Sequence, residues 1–245
     1  MADAKGSTEP LSNATSDLPV RLASALVMVG IAGVSLWLGG FVWIGFVILI
    51  AGLVLWEWNR LVRGSDASPF AEVVWLFFGA VYVCGAALAM IQVRMTFDPL
   101  AVALIYILPV IAVDVGAYFV GRAVGGPKIA PKLSPSKTWA GLAGGALGAG
   151  LVAISLVLVG FRADLLGEAS VGALFLALVA GALIAVIAQA GDFFESWMKR
   201  RAGLKDSSNL IPGHGGVFDR VDGFLAVFFI LFVVAVGPGF IGASL

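Results

Sequence analysis

Long apolar runs recur along the whole chain, and they limit what it can fold into. Sixty per cent of its 245 residues are hydrophobic and only 12% are charged, whereas soluble domains carry about 25% charged residues. Apolar runs of this kind cross the ~30 Å hydrocarbon core of a bilayer as helices. We therefore predict an all-α integral membrane protein, a polytopic bundle of about 7–9 transmembrane helices. The seven clearest spans are residues 22–38, 41–56, 73–91, 100–120, 139–160, 171–190 and 221–236.

The higher counts depend on two ambiguous stretches. The third run could be two short helices, and residues 191–201 could form a separate helix. The fifth span opens with closely spaced glycines, which let helix backbones approach each other within lipid. These glycines are Gly141, Gly144, Gly145 and Gly148. Their spacing does not say whether the contact is within one chain or between two copies.

The distribution of polar residues divides the chain into three regions. Residues 1–20 are rich in Ser, Thr, Ala and Pro and are predicted to be a disordered polar tail. Residues 21–99 are predicted to form N-terminal transmembrane helices. Residues 100–245 are predicted to form a second, catalytic transmembrane region with two polar loops.

The basic residues are distributed unequally between alternate loops. With the N-terminus inside, 13 of the 15 Lys and Arg residues fall in inner segments, and only Arg94 and Arg162 fall in outer ones. Cytoplasmic loops of membrane proteins are enriched in Lys and Arg. We therefore predict a multi-pass protein of a bacterial-type inner membrane, with both polar loops and the active site on the cytoplasmic side.

Composition also excludes several classes of site. The formal net charge is zero, which gives no reason to expect a nucleic-acid partner. The single cysteine, Cys84, rules out a disulfide within the chain, and the single histidine, His214, rules out a poly-His zinc site. A metal would have to be held mainly by carboxylates, which favours Mg²⁺.

The densest polar passage is residues 189–222, with five acids, five bases and the only histidine. Its acids include two pairs at a spacing of three residues, Asp192 with Glu195 and Asp219 with Asp222, and each pair falls on one face of a helix. A glycine-rich turn around His214 can bring the pairs together. Clustered carboxylates repel one another unless cations join them, so a divalent ion, or two, would create a place for a nucleoside triphosphate. The alternative is internal salt bridges to Lys199, Arg200 and Arg220.

The other polar loop offers Ser134, Lys137 and Thr138 just before the fifth span. Ammonium and hydroxyl groups at a helix start favour phosphate binding, and the alternative is a basic loop that only anchors the span. Asp114 and Tyr118 lie four residues apart on one face of the fourth span. An acid at this depth usually faces the bundle interior, in a polar site or in a structural hydrogen bond.

These residues together resemble the phosphatidate cytidylyltransferases, also called CDP-diacylglycerol synthases. From Ser196 to Asp222 the chain reads Ser-x-hydrophobic-Lys-Arg, then Lys-Asp, then His-Gly-Gly-hydrophobic-x-Asp-Arg-hydrophobic-Asp, which matches the family pattern without a mismatch. Gln189-x-Gly-Asp before this motif, the Ser-Pro-Ser-Lys-Thr loop and the segment from Asp114 to Gly121 also match family features. The resemblance covers roughly residues 110–225.

The resemblance implies that CTP and phosphatidic acid, in the presence of Mg²⁺, give CDP-diacylglycerol and pyrophosphate. Our hypothesis is that Asp192 and Asp222 hold the metal, that Asp219 and Glu195 assist, and that the chemistry uses these aspartates with Lys199 and Arg220. The family also suggests a homodimer in membrane lipid. The expected substrate-binding residues are Ser134, Lys137, Thr138, Ser196, Arg200, Lys205, His214, Asp114 and Tyr118.

Two other functions fit parts of the sequence. A CTP-dependent polyprenol or phytol-type lipid kinase would use a similar site, but the complete late motif argues against it. An ion-coupled transporter could use intramembrane acids such as Asp114 and Asp192, but it would need polar residues along a path across the membrane. The outer loops are nearly free of charge, which favours chemistry at one surface.

Overall fold

The computed structural model describes residues 13–162 and 170–236, and these residues form an antiparallel bundle of long helices. A π-helical stretch, Val102–Ile107, precedes α5, where Pro109 has no N–H to donate to the carbonyl four residues earlier. The helices are α1 Asn13–Leu38, α2 Gly40–Arg63, α3 Pro69–Thr96, α4 Pro99–Ala101, α5 Leu108–Val124, α6 Trp139–Arg162, α7 Val171–Arg201 and α8 Phe218–Val236.

Six helical segments among the described residues are long and apolar enough to cross a membrane, with mean hydropathies between 1.8 and 2.8. Helix α8 is a seventh long helix, whose first turns carry charged residues before an apolar remainder. The predicted all-α polytopic fold is confirmed, with six or seven spans. The alternatives that gave eight or nine are wrong, because Pro69–Thr96 and Val171–Arg201 are each one continuous helix.

The N-terminal segment differs in part from the disordered tail predicted for residues 1–20. Helix α1 begins at Asn13, inside that segment, and residues 1–12 lie outside the described part of the chain.

A small antiparallel hairpin interrupts the helical pattern in the loop before α6. Strand β1 is Lys128–Ala130 and β2 is Ser134–Thr138, and Lys128 faces Thr138 across the pair. Prolines at 127, 131 and 135 oppose helix formation here, and Pro135 is tolerated on a two-stranded edge. The hairpin holds Lys137 immediately before the start of α6.

Consecutive long helices run in opposite directions, so alternate loops share one end of the bundle. At one end, Ser24 in the first half of α1 forms a hydrogen bond with His214 in the loop before α8. At the other, Arg94 near the end of α3 donates to the Leu36 carbonyl near the end of α1 at 2.7 Å. Both polar loops of the sequence therefore lie at the same end, which we call the polar end.

The core below the polar end is aromatic. Trp58 of α2 is 1% exposed and donates to the Trp75 carbonyl at 3.0 Å. Its ring centroid lies 5.6–5.9 Å from those of Tyr82, Phe194 and Phe218, on α3, α7 and α8. This cluster fixes the C-terminal part of α7 against the start of α8, where the acidic pairs are found.

A second, small-residue contact joins α5 to α6. A Cβ atom on Gly145 would lie 2.9 Å from the Val113 carbonyl oxygen, so the backbones approach too closely for any side chain there. The glycines of the fifth span thus pack within the chain, and they leave the predicted homodimer without support from this feature. The contact places Asp114 of α5 beside Lys137 and the polar part of α7.

Candidate active site

Three acids from α7 and α8 meet at the polar end. Gly191 allows this, because a Cβ there would lie 2.6 Å from the Asp222 carbonyl oxygen, and only hydrogen fits between the two backbones. One carboxylate oxygen from each of Asp192, Glu195 and Asp222 lies within 4.8 Å of the others. We call these three residues the acid cluster.

Lys137 reaches the acid cluster from the hairpin. Its Nζ lies 2.5 Å from Asp192 Oδ2, and both side chains are about one quarter exposed. Burial alone would lower the pKa of Lys137, but the neighbouring carboxylate of Asp192 outweighs it, so the pKa is raised above its usual value. Lys137 is therefore a fixed positive charge at neutral pH, on the edge of the cluster.

Lys199 lies deeper and is surrounded by acids. Its Nζ is 2.6 Å from Glu195 Oε2 and 2.6 Å from Asp219 Oδ1. Its side chain is 12% exposed, Glu195 is 1% exposed and Asp219 is 6% exposed. This arrangement corresponds to the internal salt bridge that the sequence left as the alternative for the acidic passage. Lys199 is thereby held inside the protein rather than extended toward a ligand.

The second oxygen of Asp219 organises the turn before α8. Asp219 Oδ2 accepts hydrogen bonds from the Ser207 N–H at 2.9 Å, the Ser207 hydroxyl at 2.7 Å and the Gly216 N–H at 2.8 Å. Both carboxylate oxygens are thus engaged by the protein. The structure places Glu195, rather than Asp219, with Asp192 and Asp222.

Glu57 is a buried acid that we did not predict as part of the site. It is fully buried, and its carboxylate accepts from the backbone N–H groups of Val217 and Phe218, at 2.9 and 2.6 Å, where α8 begins. The Ser208 hydroxyl donates to it as well, and the Ser207 hydroxyl oxygen lies 3.1 Å from its Oε2. A carboxylate at a helix N-terminus accepts hydrogen bonds from the free N–H groups, and its negative charge interacts favourably with the helix dipole.

Two members of the acid cluster, Asp192 and Asp222, border a cavity of about 150 Å³, which we call the inner cavity. Asp114, an exposed residue of α5, lines it, and so does Lys137. Its walls combine these polar groups with apolar side chains from α5 and α8. The lining residues are Val110, Asp114, Lys137, Ala188, Gln189, Asp192, Asp219, Arg220, Asp222, Gly223 and Phe224.

A wider cavity of about 500 Å³, the outer cavity, opens beside the glycine-rich turn. Gly213 and Gly215 adopt φ of 74° and 85°, which allows the tight turn. The Ser24 hydroxyl oxygen lies 2.8 Å from His214 Nδ1 and 3.1 Å from the Pro212 carbonyl oxygen. The lining residues are Arg21, Lys205, Asp206, Asn209, Ile211, Pro212, Gly213, His214, Gly215 and Arg220.

The two cavities share one residue, Arg220. Its guanidinium is always charged and can bind phosphate oxygens through two N–H groups at once. A polyanion in the outer cavity and a second anion in the inner cavity would therefore meet beside Arg220.

Several of the predicted substrate-binding residues lie elsewhere. Thr138 is 3% exposed and its hydroxyl accepts from the Gly141 N–H at 3.0 Å, so it caps α6. Tyr118 is 57% exposed and accepts from Arg122 on the outside of α5. Arg200 donates to the Leu204 carbonyl at 3.2 Å, and Ser134 at the start of β2 is not among the residues that line either cavity. Ser196 is buried, 3.5 Å from Asp192 Oδ1.

The donor set of the acid cluster fits a divalent cation with oxygen ligands. Oxygens bound to one Mg²⁺ at about 2.1 Å lie about 3–4.2 Å apart, so the cluster needs only small side-chain adjustments. Glu195 Oε1 is buried and has no hydrogen-bond partner among the residues described. An unpaired carboxylate oxygen inside a protein is costly, and a bound cation would satisfy it.

Sequence reasoning missed the residues that come from distant helices. Arg21, Ser24 and Glu57 belong to α1 and α2, more than 140 positions before the turn they contact. The only available signal was a glutamate between two tryptophans at the end of a predicted span. Nothing in that local pattern says which helix start a buried acid will meet.

Comparisons with known proteins bear on the same residues. The model of the family described as "Cytidylyltransferase family" matches residues 63–236. A phosphatidate cytidylyltransferase of Brucella suis is 33% identical over 89% of this chain and 93% of its own length. One of Rickettsia bellii is 34% identical over 89% of this chain and 91% of its own length. One of Haemophilus influenzae is 35% identical, covering 72% of this chain and 61% of that protein.

Proposed function

Because this chain belongs to the cytidylyltransferase family, we propose that it transfers the CMP moiety of CTP to phosphatidic acid, giving CDP-diacylglycerol and pyrophosphate. The observation that carries the proposal is the acid cluster beside Arg220, at the junction of two polar cavities in a membrane bundle. Neither a kinase nor a transporter is favoured by a specific feature of the site.

CTP would occupy the outer cavity. Arg21, Lys205 and Arg220 provide three positive charges for a triphosphate, and Asn209 and His214 provide polar groups for the ribose or the base. The glycine-rich turn brings backbone close to the bound anion. Phosphatidic acid would place its phosphate in the inner cavity, near Lys137, with its acyl chains in lipid.

The reaction exchanges one phosphorus–oxygen bond for another. An oxygen of the lipid phosphate forms a bond to the α-phosphorus of CTP, and the bond from that phosphorus to the bridging oxygen of the β-phosphate breaks. The electron pair leaves with pyrophosphate. Because the attacking oxygen is already anionic at neutral pH, the site does not need a strong base. Its main task is to bring two polyanions together and to stabilise the leaving group.

Positive charge on the protein performs part of that task. Lys137 would hold the lipid phosphate against the acid cluster, and Arg220 would bind phosphate oxygens from both substrates. Lys199 would act indirectly, because it fixes Glu195 and Asp219 in place. We therefore assign Lys199 a positioning role.

We propose that Asp192, Glu195 and Asp222 hold a Mg²⁺ ion. Bound there, Mg²⁺ would supply charge neutralisation at the α-phosphate and at the departing pyrophosphate. The unpaired Oε1 of Glu195 supports its inclusion in the ligand set. A second metal ion stays a prediction, as does a homodimer.

The site would face the cytoplasm of a bacterial inner membrane, where CTP is available. The polar end carries the Lys- and Arg-rich segments of the described chain, including Lys137, Lys199 and Lys205. Labelling of a cysteine introduced at Asn209, in intact cells and in inverted vesicles, tests this orientation. Labelling only in inverted vesicles is the expected result.

The proposed activity is tested with purified protein in detergent, CTP labelled in the α-phosphate and phosphatidic acid, with and without Mg²⁺. We expect labelled CDP-diacylglycerol and one pyrophosphate per turnover, only with Mg²⁺. A polyprenol offered in place of phosphatidic acid should give no phosphorylated lipid. Release of CDP with a phosphorylated alcohol, or no turnover at all, would contradict the proposal.

A further inference from the structure

The inner cavity contains a polar side chain that the reaction described above does not use. Gln189 of α7 is 4% exposed and lines the inner cavity. Neither its Nε2 nor its Oε1 has a hydrogen-bond partner among residues 13–162 and 170–236. A buried amide without partners is destabilising, so an amide placed at a cavity wall points to a ligand.

The position of Gln189 along α7 indicates which part of a ligand it would meet. It lies three residues before Asp192, about 4.5 Å further along the helix axis and away from the polar end. That end is marked by Lys199, Arg200 and Arg201 in the last turn of α7. Gln189 is therefore on the hydrocarbon side of the acid cluster.

A membrane lipid whose phosphate lies beside Lys137 and Asp192 must direct its glycerol backbone toward the hydrocarbon. The groups that follow the phosphate at this depth are the two ester linkages of the glycerol. An ester carbonyl accepts hydrogen bonds but cannot donate them, and a glutamine Nε2 donates two. The neighbouring lining residues, Val110, Ala188 and Phe224, are apolar and suit the start of the acyl chains.

We infer that Gln189 binds a glycerol ester carbonyl of the lipid substrate through its Nε2, and thereby selects ester-linked diacyl lipids. The inference rests on the proposed function, because it takes phosphatidic acid as the lipid. The inner cavity of about 150 Å³ also leaves room for water, whose share of liquid volume is about 30 Å³, to donate to Oε1.

The test compares dioleoyl phosphatidate with its ether-linked counterpart, which has the same chains but no carbonyl. Both lipids are assayed in mixed micelles with the wild type, Gln189→Leu and Gln189→Met. The Gln189→Met variant preserves the length of the side chain. Loss of one neutral hydrogen bond corresponds to about a two- to tenfold rise in KM. We expect that rise for the ester lipid only, with the KM for CTP unchanged.

Gln92→Leu is the matched control, since Gln92 is an exposed glutamine of α3 that bonds Thr96. This variant should retain the wild-type preference for the ester lipid. The inference is overturned if the KM of the Gln189 variants rises equally for both lipids. That result would mean that the amide contacts the phosphate or serves only in packing. The inference is also overturned if the preference for the ester lipid persists in both variants.

A second readout does not depend on turnover. Thermal stabilisation of the purified protein by each phosphatidate, measured without CTP, should favour the ester lipid in the wild type and be equal for both lipids in Gln189→Met. If the wild type makes no CDP-diacylglycerol, the proposed function fails, while this measurement still decides the role of Gln189. Equal stabilisation of the wild type by both lipids would overturn the inference.

Discussion

The carboxylate of Glu57 on α2 accepts a hydrogen bond of 2.6 Å from the backbone N–H of Phe218, the first residue of α8. A residue 161 positions earlier in the chain thus caps the helix that carries Asp222. The same carboxylate contacts the hydroxyls of Ser207 and Ser208, so one buried acid connects the second helix, the turn and the start of α8.

Replacing Glu57 tests this connection. Glu57→Gln introduces an NH₂ group among groups that all donate, so at least one donor loses its acceptor. We expect a loss of about 1–3 kcal/mol in the free energy of unfolding and reduced activity. Thermal unfolding in detergent measures the effect. Glu72→Gln, in the first turn of α3, is the control. Equal melting temperatures for the two variants would show that the cap at the start of α8 is unimportant.

The acid cluster should be needed for turnover rather than for folding. We expect Asp192→Asn, Glu195→Gln and Asp222→Asn each to lower kcat by about 100-fold or more. Each should also reduce the thermal stabilisation of the protein by Mg²⁺. Asp66→Asn, in an exposed loop, should leave both unchanged. Wild-type activity in any of the three cluster variants would remove that residue from the ligand set.

Lys199 should be needed mainly for folding stability, and Lys137 mainly for binding phosphatidic acid. Removing Lys199 leaves the nearly buried acids Glu195 and Asp219 without their cation, which typically costs about 3–5 kcal/mol. Lys199→Met should therefore unfold at a lower denaturant concentration. Lys137→Met should remain folded and raise the KM for phosphatidic acid. The reverse pattern would contradict the positioning role assigned to Lys199.

The raised pKa of Lys137 gives a prediction for pH. The pair with Asp192 raises the pKa of Lys137 above its usual 10.5, so its contribution to stability is complete below that pH and is lost as the pH rises through the raised value. The difference in melting temperature between the wild type and Lys137→Met should stay constant from about pH 7 to pH 9.5. A difference that shrinks within this range would show that Lys137 loses its proton earlier.

Arg21 tests whether α1 contributes to nucleotide binding. It lines the outer cavity, although it lies before the residues that the family model matches. Arg21→Met should raise the KM for CTP about tenfold, as for loss of a charged hydrogen bond, and leave the KM for phosphatidic acid unchanged. Arg63→Met, an exposed arginine bonded to Asn59, should affect neither. Equal changes for both substrates would contradict the assignment.

Much of this architecture could be predicted from the sequence because its signals are local. Apolar runs gave the helices, and acids three residues apart gave the paired faces of α7 and α8. The sequence predicts that both Asp219 and Glu195 assist at the metal, and the absence of Asp219 from the acid cluster could not be foreseen. It depends on Ser207, Gly216 and Lys199, which take up both oxygens of Asp219.

Contacts between residues far apart in the sequence could not be predicted either. Whether Glu57 or Gln189 faces lipid, core or ligand depends on how helices far apart in sequence rotate against one another. Sequence periodicity is weak in a helix that is apolar all round. The sequence predicts only a polar loop around Lys137, because the three prolines exclude a helix without specifying a strand partner.

The contact between Gly191 and Asp222 couples chemistry to assembly. Asp192 and Asp222 lie on separate helices, and they become neighbours only when α8 docks against α7. A nascent chain whose α8 has not yet entered the bundle has only the two acids of α7, Asp192 and Glu195, and lacks the third. If these three acids hold the ion as proposed, the enzyme becomes active only after α8 has inserted and docked.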